Sequence, residues 1–210
     1  SDFSRSANQP DGAPNDGLNL NDVWGYGFDF PYTATGDYQV DLVRRTPFPP
    51  PTEIVVTNLD DSGEGSLREA LTLIADDGTV TFDPALVGGT LTLTSGQLVA
   101  DKSVTIDGAG VTVSGANAFR VLQVAAGADV TISNMTVTEG AGAPQGGGIL
   151  NLGTLNLDNV IVTNNTETST GPASFDLGGG GIYNGDGATL NLTNSTVSDN
   201  STVAQPGGGI

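Results

Sequence analysis

The sequence contains no cysteine and no histidine. Without cysteine the chain cannot form disulfide bonds, thiolate metal sites or thiol nucleophiles. Without histidine it lacks the side chain that most often acts as a general base near neutral pH, and with it the usual catalytic triads and most zinc sites. These two absences exclude a large part of known enzyme chemistry.

Basic residues are scarce, because six lysines and arginines stand against 24 aspartates and glutamates, and the formal net charge is -18. A chain this acidic does not neutralise phosphate groups, so we expect no nucleic-acid partner. The sequence also has no run of about 20 apolar residues, the length that a membrane-spanning helix requires. We therefore expect no membrane span in this chain.

Glycine, by contrast, is abundant, with 31 residues in 210, about twice its usual share. The composition changes at a proline-rich run from Thr46 to Pro51. This run is predicted to be extended and stiff, because proline fixes its own φ and restricts the residue before it. We place a boundary here, between an extended N-terminal arm of residues 1–52 and a folded domain of residues 53–210.

The arm contains aromatic residues at every second position, namely Trp24, Tyr26, Phe28, Phe30 and Tyr32. A period of two places all five rings on one face of an extended strand. Its neighbours in sequence are too polar to cover such a face. The strand is therefore expected to dock either on the folded domain or on another chain.

An acidic segment precedes this aromatic strand. It concentrates candidate oxygen ligands around glycine turns, namely Asp11, Asn15, Asp16 and Asp22. Calcium prefers six to eight oxygen ligands of this kind. The spacing does not follow the EF-hand loop, so the segment is interpreted either as a solvated acidic loop or as a calcium site. Calcium is the one cofactor that the sequence suggests.

One helix is predicted, at residues 66–75. Ser66 and Glu69 have the spacing of a capping box, in which each side chain accepts a backbone N–H at the start of a helix. The apolar residues that follow have helical spacing, namely Leu67, Ala70, Leu71 and Ile74. Arg68 is expected to be exposed on this helix, which would close the N-terminal end of the domain.

The rest of the chain repeats. Aligned apolar strands begin at residues 104, 130, 155 and 190, which gives steps of 26, 25 and 35 residues. Three asparagines follow the last three of these strands at the same offset and are predicted to form a hydrogen-bonded ladder at a corner, namely Asn134, Asn159 and Asn194. Repeats of this length predict an all-β fold, a right-handed parallel β-helix with one short capping helix and an extended arm.

Several segments resemble known β-helix proteins. The run from Gly63 to Ala70, the Gly-Gly-Gly-Ile-Tyr-Asn segment ending at Asn184, and the segment from Leu190 to Asn200 are similar to the CSLREA-type proteins and to polymorphic outer-membrane proteins. Gly65 stands where the eponymous cysteine would be. The resemblance implies a pectate-lyase-like solenoid on a large secreted or surface-anchored bacterial or archaeal protein. It implies little about activity, because one fold carries lyases, hydrolases, adhesins and spacers.

Catalysis is not expected. The acidic pairs Asp60-Asp61 and Asp76-Asp77 lie in glycine-rich turns beside the helix, where solvated caps are commoner than a facing acid and base. A charge of -18 also repels polyanionic substrates. The alternative is a carbohydrate-binding or polysaccharide-cleaving domain, for which Phe175 and Tyr183 are the candidate glycan platform.

We expect a non-catalytic, extracellular structural or adhesive protein. A β-helix ends in unpaired strand edges that must be covered. The chain is interpreted as stopping in mid-coil at Ile210, so either further coils of the same protein or a second chain would cover that edge. In the second case Ile210 and the aromatic strand of the arm would form the interface of a fibre.

Overall fold

The computed structural model describes residues 49–142, 144–169, 178–203 and 208–210. Within these ranges the chain forms one helix, one 3₁₀ turn and short strands. In chain order they are β1 (Glu53–Val56), α1 (Leu67–Leu73), β2 (Gly78–Phe82), the 3₁₀ turn Pro84–Leu86, β3 (Thr90–Thr92), β4 (Leu98–Ala100), β5 (Val104–Ser114), β6 (Leu122–Val124), β7 (Asp129–Thr138), β8 (Ala141–Gly142), β9 (Ile149–Asn151), β10 (Thr154–Thr163), β11 (Thr166–Glu167), β12 (Ile182–Asn184), β13 (Thr189–Thr193), β14 (Thr196–Ser198) and β15 (Ser201–Thr202).

The strands form three parallel sheets. The first has the order β1-β2-β5-β7-β10-β13, with β3 paired to β5 and β14 paired to β10. The second has the order β4-β6-β9-β12, and the third the order β8-β11-β15. Each strand pairs with the equivalent strand one turn later, so the chain winds as a solenoid. The predicted parallel β-helix is confirmed.

The core lies inside the solenoid and is built from alternate strand residues. Val104, Val130, Leu155 and Leu190 are paired in register, as the repeat alignment predicted. The first three are buried, as are the other inward residues of β5, β7 and β10. Because alternate residues of a strand point to opposite faces, the hydroxyl and amide side chains between them face outward.

Helix α1 closes the N-terminal end of this core. The Ser66 hydroxyl accepts the Glu69 N–H at 3.2 Å, and the Glu69 carboxylate accepts the Gly65 N–H at 2.7 Å. The helix ends at Leu73 because Ile74 leaves the helical conformation, with ψ at 143°. It is therefore shorter than predicted, but its buried face of Leu67, Ala70 and Leu71 covers the core as expected.

Gly65 has a conformation that favours glycine. Its φ is +77°, and a Cβ at this position would lie 2.1 Å from Thr57 Oγ1. Its amide also donates the hydrogen bond to Glu69 that completes the cap. Gly65 therefore fits a turn in which a larger residue would be strained.

Candidate functional site

The three predicted corner asparagines all have left-handed backbone conformations, with φ between 50° and 55°. Asn159 Nδ2 donates to Asn134 Oδ1 at 2.8 Å, and Asn134 Nδ2 donates to Asp107 Oδ1 at 3.0 Å. Asn194 donates instead to Asp158 Oδ1, at 3.2 Å. The ladder is thus continuous over two steps and shifts by one residue at the third.

Asp107 starts this ladder as an acceptor. The hydrogen bond from Asn134 and that from the Ala109 backbone N–H lower the pKa of the Asp107 carboxyl, against a smaller opposing effect of burial. The Asp107 carboxylate is therefore ionised at the corner, where it accepts the hydrogen bond from the Asn134 side-chain amide. This corner is a structural site, because its polar atoms bind one another.

A second asparagine ladder, which the sequence analysis missed, is inside the next corner. Asn165 is fully buried, and its Oδ1 accepts the Gly140 N–H at 2.7 Å. Its Nδ2 donates to the Val137 and Thr163 carbonyls and to Asn200 Oδ1. Gly140, Asn165 and Asn200 follow one another at 25 and 35 residues, the same steps as the strand repeat. This spacing is visible in the sequence and could have indicated the second ladder.

An ion pair joins the capping helix to the turns beside it. Arg68 Nη2 lies 2.6 Å from Asp61 Oδ1, and the two side chains are 25% and 6% exposed. Arg68 also donates to the backbone carbonyls of Gly96 and Gln97. We call this group of Arg68, Asp61 and the two carbonyls the clamp. Arg68 is half-buried in it, and the expectation that this residue is exposed was wrong. The guanidinium had acceptors within reach that the sequence did not reveal.

The clamp shifts the titration of Asp61. Burial raises the pKa of the Asp61 carboxyl, but hydrogen bonds from Arg68, Ser95 and Thr94 and the positive charge of Arg68 outweigh it and lower the pKa to about 2. Asp61 is thus an acceptor held ionised by its neighbours. Asp76 has a comparable structural contact, since its carboxylate accepts the Ser103 N–H at 2.8 Å.

Arg120 is another half-buried cation. Its Nη1 donates to Gln97 Oε1 at 2.7 Å, and its Nε donates to the Gly146 carbonyl at 2.8 Å. Burial lowers the pKa of the Arg120 guanidinium from its ordinary value. Its donors hold neighbouring turns together and face carbonyl oxygens, so this side chain contributes to the structure of the corner.

The C-terminal end of the described solenoid differs from the capped N-terminal end. Leu192 is 41% exposed, whereas Leu157, its register partner one turn earlier, is 1% exposed. Val203 and Ile210 are exposed at 61% and 58%. Among the described strands, none pairs with the outer edge of β13, which leaves its backbone groups on that side without a strand partner. We call the apolar residues and strand edge of this last turn the open end.

Of the other residues proposed for sites, most lie outside the described part of the chain. Tyr183 lies in β12 and is half-buried beside Leu150. Phe175, its proposed partner in a glycan platform, lies outside the described residues. The same is true of the candidate calcium ligands Asp11, Asn15, Asp16 and Asp22, and of the aromatic strand Trp24, Tyr26, Phe28, Phe30 and Tyr32.

Within the described ranges, no three acidic side chains are grouped closely enough to bind a metal ion. In the same ranges, no helix has both the length and the hydropathy needed to cross a membrane. Comparisons of the chain with protein families, with curated proteins and with solved structures find no match. In the described residues, the geometry offers a parallel solenoid with helix α1 at its N-terminal end and the open end at its last turn.

Proposed function

We propose that the protein is a non-catalytic structural or adhesive component of an extracellular surface, and that its solenoid is extended end to end through the open end. The observation that carries the proposal is the exposure of Leu192, at 41%, at a position that is core one turn earlier. Covering the last turn would bury its apolar side chains and pair the edge of β13. Both effects favour the addition of another strand layer.

The proposed occupant is a second copy of the chain. In the sequence of its arm, aromatic residues stand at every second position from Trp24 to Tyr32, and this alternation predicts a strand of the kind that adds to an exposed sheet edge. Repeated addition in one direction would produce a fibre, because the two partners use different surfaces. The segment from Gly63 to Ala70 resembles CSLREA-type β-helix proteins, and this resemblance supports a location on the surface of a bacterium or archaeon.

The test compares three variants with the unmodified protein. Leu192→Lys places a charge in the open end, and deletion of residues 1–50 removes the arm. Val99→Lys is the matched control, because Val99 is also apolar and 42% exposed but lies on β4, in the side wall. We expect polymers for the unmodified protein and for the control, and monomers for the other two, by sedimentation velocity and negative-stain electron microscopy.

Two outcomes would contradict the proposal. The first is an unmodified protein that stays monomeric across a wide concentration range. The second is a polymer that survives both the Leu192→Lys change and the deletion of the arm. A polymer that is lost with Leu192→Lys but kept in the deletion would remove the arm from the interface and leave the open end in it.

A further inference from the structure

Two rows of small hydroxyl residues run along one half of the first sheet. Strand pairing places Thr90, Thr112, Thr136, Ile161 and Thr196 in the first row. It places Thr92, Ser114, Thr138, Thr163 and Ser198 in the second row. Nine of these ten positions carry a hydroxyl, and Ile161 is the exception. We call this surface the hydroxyl array.

The hydroxyl array is regular in two directions. Neighbouring strands lie about 4.8 Å apart, and alternate residues of one strand lie about 6.7 Å apart. The intervening inward residues, such as Leu91, Val113 and Val137, are almost fully buried and hold each strand in place. Threonine is stiff at χ1, so its hydroxyl and methyl groups keep fixed positions on such a strand. The surface therefore presents a rigid two-dimensional lattice.

Most of these hydroxyls have no hydrogen-bond partner among the residues that the structure describes. Apart from Ser114, which is buried and donates to the Glu139 carboxylate at 2.6 Å, the array hydroxyls make no hydrogen bond to the described residues. Each of them is at least partly exposed. Threonine hydroxyls elsewhere do have partners, as in the bond from Thr94 to Asp61. Within the described part of the chain, the array therefore keeps most of its donors and acceptors free for an external ligand.

The hydroxyl array is also uncharged, although the chain carries 24 acidic residues. The acidic residues next to it in sequence, Glu139 and Asp199, lie at the corner after the second row, and only the Glu139 carboxylate contacts the array, at Ser114. On the other half of the same sheet, the outward positions include Asp107 and Asp158. A neutral strip on so acidic a chain suits a neutral ligand, and the rows contain no aromatic ring on which a sugar could stack.

We propose that the hydroxyl array binds ice. Crystalline water is a neutral lattice of hydrogen-bond donors and acceptors that repeats regularly in two directions, as the hydroxyls of the array do. Fixed hydroxyls hold first-layer waters in position, and the methyl groups between them limit competing water orientations. The inference does not depend on the proposed end-to-end assembly, because the array lies on the outer face of a sheet and the open end lies at the last turn of the solenoid.

The test measures thermal hysteresis and ice-crystal shaping with the purified protein. Thr136→Tyr and Thr90→Tyr interrupt the array at its centre and at one end. Thr105→Tyr is the matched control, because Thr105 is an exposed threonine on the same strand as Thr112 but on the other half of the sheet. Circular dichroism checks that each variant is folded.

We expect hysteresis from the unmodified protein and from Thr105→Tyr, and its loss in Thr136→Tyr. The Leu192→Lys variant should keep its hysteresis even as a monomer, which separates this proposal from the assembly. A folded protein without hysteresis would overturn the inference, and so would equal losses in Thr136→Tyr and Thr105→Tyr. Binding to microcrystalline cellulose without hysteresis, abolished by Thr136→Tyr, would overturn it in favour of a neutral polysaccharide.

Discussion

Individual polar residues in this protein stabilise its turns by binding one another and nearby backbone groups. The clamp between Arg68 and Asp61 is the clearest ionic example, because both partners are largely shielded from water. A carboxylate whose pKa is lowered on folding stabilises the folded state above its unfolded pKa and loses that contribution as the pH falls through the folded value. Acid stability is therefore a direct probe of the clamp.

For Asp61 the relevant interval runs from its usual pKa of 3.8 down to about 2. We expect the clamp to contribute about 2 kcal/mol to the free energy of unfolding above pH 4, and to lose it as the pH approaches 2. Asp61→Asn should remove this pH dependence, and the neighbouring Asp60→Asn should not. Urea unfolding at several pH values measures it, and identical slopes for the two variants would count against the clamp.

The buried Asn165 is expected to contribute strongly to stability. Asn165→Ala leaves the Gly140 N–H without its acceptor and removes the bonds to Val137, Thr163 and Asn200. We expect a loss of about 3 kcal/mol, since unsatisfied buried groups are costly. Asn156 bonds to the side chains of Asp129 and Asn191 in the neighbouring turns, but these bonds are exposed, so Asn156→Ala should cost less than about 1 kcal/mol. Equal losses in thermal or chemical unfolding would show that burial of the ladder has no energetic weight.

Among the elements, helix α1 has a distinct role because it ends the solenoid. Its seven residues are too few for an isolated helix to be stable, so the cap and the buried face must hold it. Ser66 and Glu69 satisfy backbone donors at its start, and Leu67, Ala70 and Leu71 pack on the core. Weakening the cap should therefore loosen the end of the solenoid before the rest.

Ser66→Ala removes the acceptor of the Glu69 N–H, and we expect the protein to lose about 1 kcal/mol of stability. Ser66→Asp keeps a capping oxygen and should lose less. Ser62→Ala, an exposed serine in the preceding turn, is the control. Hydrogen exchange of the α1 amides should accelerate in Ser66→Ala before exchange of the β7 amides does. Unchanged protection in α1 would contradict the assigned role of the cap.

At the scale of the whole molecule, one apolar position has two environments. Leu157 and Leu192 are paired in register, but the first is 1% exposed and the second is 41% exposed. In monomers we expect Leu157→Ala to cost about 2 to 5 kcal/mol and Leu192→Ala less than about 1 kcal/mol. Chemical unfolding at low protein concentration measures both.

The same pair also tests assembly. If the open end is covered in a polymer, Leu192→Ala should become costly there, and the critical concentration for assembly should rise while the stability of the monomer hardly changes. A Leu192→Ala variant that assembles like the unmodified protein would contradict a role for this residue in the interface.

The repeat was strong enough in the sequence to determine the fold. Val104, Val130 and Leu155 begin equivalent strands, and a hydrophobic period of two within a period of about 25 residues permits few structures other than a parallel solenoid. The helix was also predictable, because a capping box and helical spacing are local signals. Its C-terminus was less so, because the conformation of Ile74 depends on packing.

What the sequence alone determined was therefore the coil, its inward residues and its capped end, because these depend on order along the chain. Only the tertiary structure decided which residues meet across turns. It brought Arg68 to the carbonyls of Gly96 and Gln97, buried Asn165 between coils, and aligned Thr90, Thr112 and Thr136 into one row. Such contacts join residues that are distant in sequence, and the physical reason they were hidden is that the exact register of each turn decides them.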